Sequence, residues 1–284
     1  MTFIELVKKS KERYSVTSES VIYSVIFKLS KKVKNKTEFL LEGKSTIDFS
    51  EKTYFRKLDE YYIDHKPLGL IVGETKFMGL KLKVFKGILV PRNETEIVAT
   101  KAAELIEDYL SSKNIKEFSI CDLCCGTGCI GLGIYKYLGG ADITCVDINP
   151  VAIENTKYNA KINKCDIETI CGDFYDSIKQ KVNCIVCNPP YVNEKDLDKN
   201  MLKYENKISF TNSNDDLYFY EKLISNYKKT MKRNFLMVFE IGYDQKPGLQ
   251  KLLKKNNLDK ISKFYKDYNG KNRMLIISRL QKLI

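Results

Sequence analysis

Apolar residues recur at helical spacing through the first part of the chain: Phe3, Leu6 and Val7, then Val21, Ile22, Val25, Ile26 and Leu29, then Leu58, Tyr61 and Tyr62. Polar breaks such as LEGKST at 41–46 separate these groups, and no strand-like alternation competes with them. The pattern predicts a small helical bundle over residues 1–66. After Pro67 the texture changes. In GLIVGETKFMGLKLKVFKGILVP, apolar and polar residues alternate and glycines punctuate, which predicts a β-hairpin linker within residues 67–92.

Residues 93–284 read as strands alternating with helices. ETEIVATKAAELIEDYL (94–110) is an amphipathic helix with Ile97, Leu105, Ile106 and Tyr109 on its apolar side. Strands are expected at 118–123, 141–148, 167–173, 182–188, 235–242, 261–268 and 274–280, with helices at 129–138, 149–163, 215–230 and 245–256. Such alternation requires a mostly parallel sheet covered on both faces, a Rossmann-like α/β domain. The last strands follow one another closely, so the sheet is expected to end in an antiparallel hairpin.

Composition removes several function classes. With 284 residues of which 43% are hydrophobic, the chain can bury one large core or a large and a small one. No run of about eighteen apolar residues occurs, so no membrane span is expected. The charged N-terminus does not read as a secretion signal, and the expected location is the cytoplasm. An excess of 48 basic over 36 acidic residues gives +12, but the lysines are spread along the chain. That spread reads as solvated surface, and no nucleic-acid partner is expected. Nine cysteines do not suggest a disulfide framework. Cys121, Cys124, Cys125 and Cys129 are shared among a strand, a tight turn and a helix, while Cys184 and Cys187 alternate across one strand. With His65 as the single histidine, no metal site is expected.

Candidate chemistry gathers at the strand ends. CDLCCGTGCIG (121–131) follows the first strand of the α/β domain and opens a helix. Gly126 and Gly128 there allow a tight turn and close approach of a ligand. Asp147 ends the next strand, where a carboxylate can accept both hydroxyls of a ribose. Asp173 and Phe174 end the third and could hold an adenine. The loop lacks a full dinucleotide pattern and begins with an acid, Asp122, which suits a positively charged ligand better than a pyrophosphate. S-adenosylmethionine, with its ammonium and sulfonium, fits this set, leaving as S-adenosylhomocysteine.

The fourth strand runs into Asn188-Pro189-Pro190-Tyr191, where two prolines stop both sheet and helix. The Asn188 carboxamide oxygen and the Pro189 carbonyl can accept both hydrogens of an –NH2 group, turning its nitrogen toward a sulfonium methyl. Tyr191 offers a flat face for a planar amide or base. Positioning is most of what such a reaction requires of the protein.

Asp122 to Gly128, Asp147 and Asn188 to Tyr191 together resemble class I S-adenosylmethionine methyltransferases that act on planar –NH2 nitrogens. Residues 67–98 are similar throughout to the linker of the HemK/PrmC family, the release factor glutamine methyltransferases, at Pro67, Leu68, Gly73, Phe77, Gly79, Val84, Gly87, Pro91, Arg92, Glu94, Thr95 and Glu96. FEIGYDQ (239–245) and KDYNGKNRMLI (266–276) resemble that family's closing strands. The resemblance implies a helical N-terminal domain, a β-hairpin and a class I methyltransferase domain. Its implied reaction is methylation of the glutamine side-chain nitrogen in the Gly-Gly-Gln loop of class 1 peptide chain release factors. It further implies cofactor contacts from Asp122, Cys124, Cys125, Gly126, Thr127, Gly128, Asp147, Asp173, Phe174 and Asn188. On the substrate side it places Asn188, Pro189, Pro190, Tyr191, Arg92 and Glu205. The helical domain is expected to dock the factor, and the enzyme to act as a monomer.

Two departures stand out. Cys124 occupies a position where the family carries glycine, so the backbone there must take either an ordinary negative φ or a strained left-handed one. Residues 203–224 keep Tyr204-Glu205 and Asp216-Leu217 but lack the usual proline after the glutamate and the double glycine. Three alternatives share part of the pattern: a nucleic-acid amino-methyltransferase, which would need a base-recognition domain; a ribosomal-protein glutamine methyltransferase, which PRNETE opposes; and a cofactor-binding protein without catalysis, which the intact Asn188-Tyr191 stretch opposes.

Overall fold

Helix formation at the start of the chain is set by Thr2, whose side chain accepts from the Glu5 amide while Glu5 reaches back to the Thr2 amide, closing a capping box. The computed structural model describes residues 1–15, 19–113, 115, 117–173, 176–197, 199–211 and 215–280. Five helices follow one another: α1 (Phe3–Tyr14), α2 (Ser20–Leu29), α3 (Lys36–Glu42), α4 (Glu51–Tyr62) and α5 (Leu68–Val72). Phe3, Leu6, Ile22, Ile26, Tyr54 and Leu58 are fully buried among them. The Tyr54 hydroxyl, carried into that core, is matched by Ser10 Oγ at 2.8 Å, which avoids the cost of an unpaired buried hydroxyl. By its contacts the chain divides into two units, the first comprising residues 1–75 with 199–204. The inserted segment is held within that unit by the Tyr204 hydroxyl, which donates to the Asp64 carbonyl at 3.3 Å.

Strands β1 (Glu74–Phe77) and β2 (Leu80–Lys83) form a two-stranded sheet, with the division between the units falling inside β1. The second unit then continues through α6 (Asn93–Lys113), β3 (Ser119–Leu123), α7 (Cys129–Tyr137), β4 (Asp142–Asp147), α8 (Pro150–Asn163), β5 (Glu168–Cys171) and β6 (Val182–Cys187). It closes with α9 (Tyr218–Ser225), α10 (Tyr227–Thr230), β7 (Met231–Glu240), α11 (Lys246–Lys255), β8 (Ser262–Lys266) and β9 (Asn272–Ser278). The sheet order is β5-β4-β3-β6-β7-β9-β8. β5 through β7 pair in parallel and β9 pairs antiparallel with both β7 and β8, the expected terminal hairpin. Successive residues of β6 face opposite cores. Cys184 and Val186 join the one that contains α6 and α7, and Ile185 and Cys187 join the one that contains α9 and α11. No helix among the described residues is long and apolar enough to cross a membrane.

Three local expectations change. The stretch read as a β-hairpin linker begins with helix α5 at Leu68–Val72, and the hairpin strands span only residues 74–83. The helix expected at 215–230 is two helices broken at Asn226. On α6 the buried stripe runs through Val98, Ala102, Leu105, Ile106 and Tyr109, and Ile97 is only half-buried. Alanines supply much of that buried face, so choosing the large apolar residues misplaced its edge.

Candidate functional site

The chain leaves β3 for β4 and β5 on one side, then returns to β6 and builds outward on the other. The carboxyl ends of β3 and β6 therefore border a crevice at the point where strand order reverses. A cleft open at its mouth occupies that place within the second unit.

The 124–128 loop forms one wall. Its backbone turns through left-handed conformations at Cys124 (φ 57°), Gly126 (φ 56°) and Gly128 (φ 76°). The Cys125 amide donates to the Val146 carbonyl at 3.1 Å, and the Gly126 amide donates to Asp147 Oδ2 at 2.9 Å. The other Asp147 oxygen accepts from the Asn149 amide at 2.9 Å. Asp147 thus ties the loop to the start of α8 while also lining the cleft. Burial raises its carboxyl above the usual range, and the amide hydrogen bonds oppose that rise. Gly128 is dictated by space as well as by φ, since a Cβ would come within 2.7 Å of the Thr156 methyl.

Asn188 and Pro190, following β6, line the same cleft. Asn188 Nδ2 donates to Thr95 Oγ1 at 3.3 Å. Thr95 Oγ1 in turn donates to Glu240 Oε2 at 2.6 Å, and the Tyr191 hydroxyl donates to Glu240 Oε1 at 3.1 Å. Glu240 ends β7 directly after Phe239, which pairs with Cys187, so its position beside Asn188 follows from the register. Apolar contributions come from Ile88, Ile148, Ile208 and Phe219.

The cleft gathers Cys124, Cys125, Gly126, Thr127, Asp147, Asp173 and Asn188 of the expected cofactor set, together with Pro190. Phe174 lies outside the described residues. The other expected residues lie outside the cleft lining. Asp122 is fully buried and points away, into the core shared by α6 and α7. There Oδ2 accepts from the Gly131 amide at 2.8 Å and Oδ1 has no partner. Burial lifts its carboxyl to about 7, so it fits a structural carboxyl better than a receiver of ligand charge. Gly128 caps α7 behind the cleft lining. Pro189 is buried, and the Tyr191 ring packs against the core beneath α9 with its hydroxyl committed to Glu240, so the flat face toward the cleft is Pro190's. Arg92 and Glu205 pair with each other at 2.7 Å. Glu205 also accepts from the Val90 amide at 2.7 Å, so together they brace the approach to the cleft without lining it.

Thr95 and Glu240 carried no assigned role in the sequence. A carboxylate closing the apolar run FLMVFE is the signal that marks Glu240, because a buried acid needs partners. No cluster of three or more metal-ligating side chains occurs among the described residues.

Comparison with known proteins bears on this geometry. The methyltransferase small domain model matches residues 99–246, a span that contains the 124–128 loop, Asp147, Asn188 and Glu240. The release factor glutamine methyltransferase of Clostridium botulinum is 34% identical over 81% of this chain and 81% of its own. The chain belongs to that family. A second release factor glutamine methyltransferase, from Mycoplasma mycoides, is 35% identical over 74% of this chain and 76% of its own. Among solved structures, a human methyltransferase 10 domain containing protein aligns with a TM-score of 0.51 at 16% identity, covering 71% of this chain and 90% of that one. That likeness concerns the fold. It agrees with the observed sheet, a Rossmann-like fold.

Proposed function

We propose that this release factor glutamine methyltransferase family member transfers a methyl group from S-adenosylmethionine to the side-chain amide nitrogen of the glutamine in the Gly-Gly-Gln loop of a class 1 peptide chain release factor. The observation that carries this reading is the placement of Asn188, with its carboxamide hydrogen-bonded to Thr95, in the same cleft as a glycine loop tied down by Asp147.

The residues fit the donor. Asp147 retains lone pairs for ribose hydroxyls after accepting its two amide bonds, and Ile148 and Phe219 offer apolar surface for a purine. Bound there, S-adenosylmethionine would supply a sulfonium-activated methyl and leave as S-adenosylhomocysteine, with the amide proton that the methyl replaces released to solvent. Asn188 Oδ1 accepts an amide N–H, the Pro189 carbonyl is the second acceptor, and Pro190 packs against the planar amide. These groups align the nitrogen and exclude water, and orientation of this kind is the protein's main contribution to rate.

In this reading the helical first unit docks the factor, one chain suffices, and the reaction takes place in the cytoplasm where translation ends. Asn188→Ala is expected to abolish transfer while leaving the cofactor Kd within about tenfold, or about 1.4 kcal/mol. Turnover near the wild-type rate would remove Asn188 from its role.

A further inference from the structure

A carboxamide placed to accept N–H groups has a weakness: a half-turn about its last bond presents NH2 instead of oxygen, and the site then repels what it should bind. Something must choose the orientation. The hydrogen-bond chain from Asn188 through Thr95, itself at the cleft lining, to Glu240 does so by counting protons.

Thr95 Oγ1 has one proton and places it on Glu240 Oε2 at 2.6 Å, a short charge-assisted bond. The hydroxyl can offer Asn188 only a lone pair. The NH2 end of Asn188 therefore faces Thr95, at 3.3 Å, and the carbonyl end faces the cleft. The reversed amide would set two acceptors against each other. The second Glu240 oxygen meanwhile accepts from the Tyr191 hydroxyl at 3.1 Å. One buried carboxylate thus holds both residues that bracket Pro189 and Pro190.

We infer that Glu240, acting through the Thr95 hydroxyl, fixes which end of the Asn188 carboxamide faces the cleft, and is a positioning residue for the acceptor amide. The inference deepens the proposed function and rests on it. Glu240 does not line the cleft, so it acts through its partners.

The chain of donors also carries a pH response. Protonated Glu240 would donate to Thr95, whose own proton could then turn to Asn188 and favour the reversed amide. The titratable groups around Glu240 are Glu94 on α6, Cys129 on α7, Tyr220 on α9, Arg273 on β9 and Tyr191. Burial raises the carboxyl above its ordinary range, against the pull of Thr95, Tyr191 and Arg273. The reversal sets in at a higher pH than an unperturbed carboxyl would set it.

The test uses the full chain. Thr95→Val keeps the shape and deletes the hydroxyl. It should lower kcat at least about tenfold with little change in KM for the factor, and Thr95→Ser should recover to within about threefold of wild type. The acid limb of the wild-type kcat profile should vanish in Glu240→Gln, which has no carboxyl to protonate. A readout independent of turnover is the Asn188 side-chain NH2 resonance, assigned by its loss in Asn188→Asp. Its protection from solvent exchange should depend on the Thr95 hydroxyl. The inference is overturned if Thr95→Val turns over like wild type, if Thr95→Ser is as slow as Thr95→Val, if Glu240→Gln keeps the acid limb, or if NH2 protection ignores Thr95. Failure of the proposed substrate looks different: the wild type would not label the factor, while NH2 protection would still follow Thr95.

Discussion

Cys124 holds φ at 57° in a loop where a glycine would sit without strain. A left-handed conformation costs a residue with a Cβ about 1–2 kcal/mol. Glycine carries a penalty of its own, about 0.5–1 kcal/mol of extra freedom in the unfolded chain. Cys124→Gly is accordingly expected to be neutral to stabilising by up to about 1 kcal/mol in chemical denaturation, where an ordinary φ would have made it destabilising. Asp122 gives a second test. Its pKa rises from 3.8 to about 7 on folding, so between those pH values the folded chain keeps a proton that the unfolded chain releases. The sign follows: the contribution is full below about pH 4 and is lost as pH climbs to 7, at up to about 1.4 kcal/mol per unit. Asp122→Asn has no such proton, so its thermal midpoint should gain on the wild type between pH 5 and 8, and parallel curves would contradict this. Asn188 and the 124–128 loop were legible because prolines and glycines constrain their own backbone. The directions of Asp122 and Tyr191 were not, since neighbouring strands and helices decide which side of the sheet end each faces.

Helix α8 shows how an element ties the linker to the site. Asn155, Asn159 and Asn163 recur every four residues and lie along one face. That face pairs with a strand edge. Asn159 Oδ1 accepts from the Lys83 amide at 2.8 Å, and its Nδ2 donates to the carbonyls of Lys83 and Thr127 at 2.9 Å each. Asn155 and Asn163 make similar bonds to Phe85, Lys83 and Lys81. Three side-chain amides thus stand in for a missing neighbouring strand, and Asn159 joins β2 to the loop that lines the cleft. Asn159→Ala takes the partner from the Lys83 amide and the Thr127 carbonyl, while the Lys83 carbonyl keeps Asn155, and an expected loss of about 1–3 kcal/mol follows from leaving buried groups unpaired. Urea unfolding measures it, and an unchanged midpoint would mean that water replaces the amide. The strands and long helices of the second unit were legible from period and turn residues. The asparagine ladder was not, because polar residues at helical spacing read as a solvated face until a partner is known.

The molecule as a whole divides into a helical unit and a sheet unit, and the first takes in residues 199–204 from far along the sequence. No local pattern announces that insertion, because it depends on where the loop after β6 travels. The same loop carries Glu205, which pairs with Arg92 at 2.7 Å, so its divergence from the family pattern leaves this brace in place. The net charge of +12 raises encounter rates with acidic partners generally and carries no sequence of its own. Docking by the helical unit predicts a lower KM for an intact factor than for a short Gly-Gly-Gln peptide with the same reactive glutamine.

The central claim is tested most directly by methyl transfer from labelled S-adenosylmethionine. Purified release factor, its Gly-Gly-Gln variant with glutamine replaced by alanine, ribosomal proteins and DNA are offered in parallel. The account predicts label on the intact factor and on none of the other three. Label on DNA, on ribosomal proteins or on the alanine variant would contradict it and would assign the Asn188 cleft to a different acceptor.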